Sequence, residues 1–350
     1  MSAFDRRVLL QALGDNVILP LYAQLAERAG ALDREALSFC EATDSAGLVR
    51  VQDAWSETRA PLKRAEAFSF GPYKEYPQRL GPLLDFWPAR PDQILGVLDD
   101  ENAFPVLDTE VVSTLGAARK GTPVIEYLLY ASASDDNTVL AVFSDPEEGP
   151  RRCNYLTGLT ADLVVQASAL HEAWNPSGGN YLGQLVDAGT ASSTTFPSVQ
   201  AAFSEVFNRI SYGIENAYEL KIGKPFGKRG VKDVEQAESA YSGRSVGDII
   251  DNLIGIEALY SGEYGERSGL GIADFLRTRS RALDAEFMQK LSAAREALDG
   301  IPVPLTMAVF EHETEVQEAY DALLALHRLM TVDVANALSI TITFNDTDGD

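Results

Sequence analysis

The stretch that decides the fold is "RRCNYLTGLTADLVVQASALHEAW", residues 151–174. Its apolar side chains fall at Leu156, Leu159, Leu163, Ala167, Leu170 and Trp174, separated by gaps of three and four residues. A half-buried strand alternates every second residue; gaps of three and four place these side chains along one stripe of an α-helix. "NPSGG" at 175–179 then stops the helix.

The same spacing recurs outward in both directions. Over 45–68 the stripe is Leu48, Val51, Trp55, Thr58, Leu62 and Ala65, with Pro61 predicting a kink near Glu57. In the second half, helices are expected over 197–218, 244–260, 278–298 and 313–338; in the last, Ala319, Leu323, Leu326, Met330, Val334 and Ala337 share a face. Thr314 and Glu315 stand in its first turn, where an acid favours the helix dipole. Only "SITITF", 339–344, reads as β-prone. The expected class is therefore all-α, built as two helical-bundle domains that each resemble a four-helix bundle: 1–178 and 179–350. The Gly-, Ser- and Thr-rich segment from 179 to 198 forms a partly structured crossover between them.

The bulk numbers agree with two domains. The chain has 350 residues and is 45% hydrophobic, enough for real cores. A net charge of −23 repels phosphate backbones, so nucleic acid is not an expected partner. No uninterrupted apolar run reaches about 18 residues, so no transmembrane segment is expected. The start, "MSAFDRRVLLQALGDN", is a poor signal peptide, so the protein is either cytoplasmic or read without its export signal.

Several chemistries find no support. Cys40 and Cys153 are the only cysteines and have no zinc-site spacing; they are either one disulfide or two buried thiols. His171, His312 and His327 are too far apart for a helical metal pair, and HExxH, GxSxG and P-loop patterns are absent. The glycine-rich "YSGEYGERSGLG" near 260 lacks the nucleotide fingerprint. "NDTDGD" at 345–350 does not follow the EF-hand order and reads as a solvated acidic end.

The carboxylates are more informative. Arg59, Lys63 and Glu66 fall on one side of their helix; the two like charges repel and call for a nearby acid, from Glu66 or from elsewhere. In "KGTPVIEYLLY", residues 120–130, Thr122 and Pro123 suit a helix start and Glu126 follows among Val, Ile, Leu and Tyr. An acid in such company needs a cation, a metal or hydrogen-bond donors from another part of the chain. Without them its pKa rises.

These segments together resemble the imelysin family, also called the M75 peptidase family, over nearly the whole chain. The resemblance rests on "AWSETRAPLKRAEAFSFGP" (54–72), "KGTPVIEYLLY", the helix at 151–174 and the ending "LSITITFNDTDGD". It implies two helical bundles with a site between them, near a Gly-x-His-x-x-Glu motif. It also implies export, a periplasmic or membrane-anchored location often as a lipoprotein, a link to bacterial iron uptake and its other components, and a Cys40–Cys153 disulfide. Gly121 and Glu126 match the motif, but Pro123 stands in place of its histidine. Proline offers no metal ligand, which disfavours a metallopeptidase. What remains is a carboxylate-only site for a small ligand or metal ion. It would be formed by Glu126 with Glu66, beside Arg59, Gly121 and Pro123, and would suit iron or another hard cation. The expected function is an extracytoplasmic binding protein linked to iron uptake. The alternatives are an M75-type metallopeptidase and a scaffold in which Glu126 is only a buried ion-pair member, with Arg59 or Arg64.

Overall fold

A computed structural model describes residues 4–130 and 135–343. The acidic "NDTDGD" ending lies outside the described residues. Seven long helices and the nine-residue α3 carry the architecture: α1 (Arg6–Glu41), α2 (Ser45–Ala65), α3 (Thr122–Tyr130), α4 (Gly149–Trp174), α5 (Val199–Asn216), α6 (Ser245–Ser261), α7 (Arg281–Asp299) and α8 (Glu313–Arg328). The class is all-α. The two-residue strands Glu263–Tyr264 and Arg267–Ser268 pair antiparallel within the glycine-rich loop after α6, and they are the only strands among the described residues.

The helices start and stop for local reasons. Asp44 caps α2 by accepting from the Gly47 amide (2.6 Å), and Ser198 and Ser280 do the same for α5 and α7. Gly262, at φ +78°, ends α6 in a left-handed turn. Helix α2 runs through Pro61 to Ala65, and Glu66 opens a 3-10 turn ending at Phe68. The crossover after α4 holds a short helix, Tyr181–Val186. Where the sequence suggests β-structure, residues 339–343 form no strand; the Thr341 carbonyl accepts from the Asn208 side chain and the Thr343 amide donates to it.

Helix α1 is the element that sequence periodicity left unassigned. It is long and apolar enough by composition to cross a membrane. Its apolar face, including Leu9, Leu13, Leu21, Leu25 and Leu32, is instead sealed in the core. It packs along α2 and α4, and Cys40 at its end is joined to Cys153 near the start of α4 by a disulfide, Cα atoms 5.5 Å apart. Closing a loop of 113 residues restricts the unfolded chain and contributes on the order of 4 kcal/mol.

In the second half α7 packs on α8, and α8 on α5. The halves meet where α2 lies against α6. Gly255 makes that approach possible: a Cβ there would stand 1.9 Å from the Arg64 carbonyl oxygen. The apolar core runs through this junction without a break. What positions the site is this contact, because α2 and α6 turn charged side chains toward each other there.

Candidate functional site

Helix α2 contributes Arg59 and Lys63, both fully buried. Neither charge could remain there without partners, and the partners come from four other segments. Arg59 donates to Asp85 (2.5 Å), which follows the short Gly81–Leu84 helix, and to Asp248 on α6; Glu238 lies 3.2 Å away. The Lys63 ammonium touches Glu66, Asp85 and Glu238 together. Lys221, carried by a π-helical turn (Ala217–Ile222) that continues α5, reaches Glu66 (2.7 Å), Glu238 (2.8 Å) and Asn252 (2.7 Å). Arg244 closes the far side on Asp248 and Asp251 (2.6 Å). Burial alone would raise the Glu238 pKa, but Lys221, Lys63 and Arg59 hold it well below the carboxylate range. Asp248 is lowered in the same way, chiefly by Arg59 against its burial.

Glu66, Asp85 and Glu238 bring oxygens within 4.8 Å of one another, close enough to ligate a metal ion. The donor set does not fit one as it stands. Lys63 places its ammonium against all three carboxylates, so a metal would have to displace a bonded cation.

Glu126 is a different case. It is 3% exposed, on α3, and its Oε1 accepts from the Ser242 amide and the Ser242 hydroxyl, both at 2.8 Å. It makes no ion pair among the described residues. Burial pushes its pKa up to about 7, and the Ser242 bonds and the Arg59 charge only partly oppose this. The start of α3 is fixed tightly. Gly121 sits at φ +83°, and a Cβ there would come within 2.6 Å of the Leu84 carbonyl oxygen. Thr122 bonds Asp85 (3.0 Å), Arg59 (2.8 Å) and the Leu84 carbonyl, while Trp55 donates to the Thr122 carbonyl (3.0 Å). Thr122 thus ties α3 to the ion network.

Glu126 and Pro123 stand in the wall of a cavity of about 800 Å³ that Glu238, Ser239 and Tyr241 close from the second half of the chain. Its titratable lining is acidic: Asp92, Glu126, Glu235 and Glu238 against Arg59 and Arg90. A smaller cavity, about 390 Å³, opens beside Glu66 and Asp85.

The imelysin family model, Peptidase M75, matches residues 18–330. The chain belongs to the imelysin family. An iron-regulated protein A of Synechococcus elongatus is 24% identical over 299 residues, covering 85% of this chain and 76% of that protein. Two crystal structures share the fold at 19% identity each. One, from Parabacteroides distasonis, is described as an iron-regulated protein A precursor; its TM-score is 0.81 over 95% of both chains. The other is an imelysin-like protein from Psychrobacter arcticum, at TM-score 0.75 over 98% of this chain and 100% of that one.

Within this imelysin fold, Arg59, Gly121, Pro123 and Glu126 are gathered around one region, and Arg59, Pro123 and Glu126 line one cavity. Glu66 does not join them there. It turns to Lys63, Lys221 and Asn252 and lines the smaller cavity, because the 3-10 turn after Ala65 carries it off the α2 face. Glu126 also lacks the expected pairing with arginine. Arg59 is taken by Asp85, Glu238 and Asp248, and Arg64 by Asp251 at 2.9 Å. No histidine lines either cavity; the His327 ring lies between Ser211 and Tyr218. Sequence reasoning missed Asp85, Lys221, Glu238, Ser242 and Asp248. One signal was available for Asp248: "VGDIIDNLIGIEALY" embeds Asp248 and Asp251 in an apolar helix, as α3 embeds Glu126.

Proposed function

We propose that this imelysin-family protein is an extracytoplasmic binding protein of bacterial iron uptake that takes a hard cation, iron itself, at Glu126. The observation that carries the reading is a buried carboxylate on a cavity wall whose only hydrogen-bond partner among the described residues is a neutral serine. A group in that state gains most from an arriving cation, because the cation replaces a proton rather than an existing ion pair. With Glu238 and Arg59 tied into the ion network, Asp92, Glu126 and Glu235 face Arg90 across the cavity, a balance that attracts cations, and an all-oxygen donor set suits a hard ion. The relative from Synechococcus elongatus is named for iron regulation. A disulfide supports an oxidising compartment.

A zinc peptidase is less well supported. Catalytic zinc sites draw on three protein ligands, usually with histidine among them. Here proline occupies the motif position, and no histidine lines the cavity. Pure protein is expected to leave casein intact with or without a chelator.

Equilibrium dialysis against ferric nitrilotriacetate tests the proposal. The wild type is expected to hold one equivalent of iron, about tenfold more tightly at pH 8 than at pH 6, since Glu126 must lose a proton to bind. Glu126→Gln is expected to lose at least tenfold in affinity. Iron uptake that is unchanged in that variant would show that the cation sits elsewhere.

A further inference from the structure

The smaller cavity has the opposite character to the one at Glu126. Four cationic side chains line it, Lys74, Arg79, Arg209 and Lys221, against two carboxylates, Glu66 and Asp85. Those two carboxylates are already held, Asp85 by Arg59 and Lys63, and Glu66 by Lys63 and Lys221, while Arg209 pairs with Glu205. By residue type the lining still carries more cations than acids, in a chain whose net charge is −23. Its mouth and walls are also aromatic, through Tyr73, Trp87 and Tyr212. Arg209 gives its Nε to Glu205 (2.7 Å) and lies 5.3 Å from the Tyr212 ring; Arg79 gives one nitrogen to Tyr76 (2.7 Å). A guanidinium group bonded on one edge keeps other N–H donors for a second acceptor.

We propose that this cavity is a second binding site, for a small organic carboxylate. The carboxylate head is held by Arg209 and Arg79, and the carbon body lies along Trp87 and Tyr73. A guanidinium fork matches a carboxylate in two parallel hydrogen bonds. The flanking rings favour an anion with an apolar or planar body over a compact inorganic one. About 390 Å³ lies in the lower range of ligand cavities. Trp87 also lines the larger cavity, so the two sites share a wall.

Isothermal titration of the full chain at low salt with benzoate, citrate and inorganic phosphate tests this. At least one carboxylate is expected to bind one-to-one and to quench the fluorescence of Trp87, the half-buried tryptophan; Trp55 and Trp174 are fully buried. Affinity is expected to fall tenfold or more in Arg209→Gln and several-fold in Arg79→Gln. It is expected to stay within twofold of wild type in Glu126→Gln, which separates this site from the iron site. Arg79 is exposed, so its variant carries the test even if Arg209→Gln folds poorly. The proposal is overturned if neither carboxylate binds, if phosphate binds as tightly as both, or if both arginine variants bind like wild type.

Discussion

Glu238 and Glu126 are buried to the same degree, 2% and 3% exposed, and line the same cavity, yet they are held in opposite ways. Three cations surround Glu238, and it is a carboxylate at any ordinary pH. A serine holds Glu126, and its protonation is balanced near neutrality. The contrast separates two uses of a buried acid. A fully countered charge fixes the register of the packed elements, here the loop before α6 against α2 and the π-helical turn, and has little left to offer a ligand. A buried acid supplied only with neutral donors is poised between two states, and a cation or a pH change can choose between them.

The largest expected effect tests the first half of this contrast. Lys63→Met leaves Glu66, Asp85 and Glu238 converging without the ammonium between them. Removing one member of a buried ion cluster strands the others, at a cost of about 3–5 kcal/mol. Urea unfolding at pH 7 measures it. A loss under about 1 kcal/mol would mean that water enters the network and the charges are solvated. The depressed pKa values of Glu238 and Asp248 give the network a pH signature too. Its stabilisation is present above the normal carboxylate range and is lost as pH falls below about 4 toward the folded-state values.

Glu126 has the reverse sign. Its folded pKa of about 7 lies above the ordinary 4.5, so the folded chain binds the proton more tightly than the unfolded chain. Stability from this group therefore falls as pH rises from about 4.5 through 7, by about 3 kcal/mol in full. Glu126→Gln keeps an oxygen acceptor for Ser242 and removes the charge. The variant is expected to be about 2–3 kcal/mol more stable than wild type at pH 8, with the advantage vanishing near pH 5. Paired urea curves at the two pH values read this directly. A variant that is less stable at pH 8 would reveal a hidden counter-charge and merge Glu126 with the Glu238 class.

The sequence made one side of this contrast legible and not the other. An acid among Val, Ile, Leu and Tyr is visible as an anomaly, because Thr122 and Pro123 mark a helix start and place Glu126 in the apolar helix that follows. Periodicity gave α2, α4 and the four helices of the second half. Glu238 carries no such mark: it lies in the polar loop between the π-helical turn and α6, and its three partners stand at 59, 63 and 221. Arg59 and Asp248 are 189 residues apart, and only the packing of α2 on α6 brings them together. Placing Glu66 with Glu126 failed for a local reason, since the helix yields to a 3-10 turn at that residue. Periodicity leaves helix α1 unassigned; Pro20 stands at the start of its α-helical Leu19–Glu41 section, where a missing amide costs little.

The smallest expected effect bears on how finely Glu126 is balanced. Ser242 supplies two donors to one carboxylate oxygen, its amide and its hydroxyl. Ser242→Ala removes only the hydroxyl. The hydroxyl bond favours the charged form, so its loss is expected to raise the Glu126 pKa further above about 7. Stability should fall by about 1 kcal/mol at pH 8, where the carboxylate is charged, and by less at pH 5. Carbon-13 titration of the Glu126 carboxyl in wild type and variant follows the midpoint. An upward move makes serine the neutral counterweight that keeps this acid within reach of neutral pH. A midpoint that stays put would assign that role to the backbone amide and the distant Arg59 charge, and the side chain at 242 would then be free to vary without changing how the cavity meets a cation.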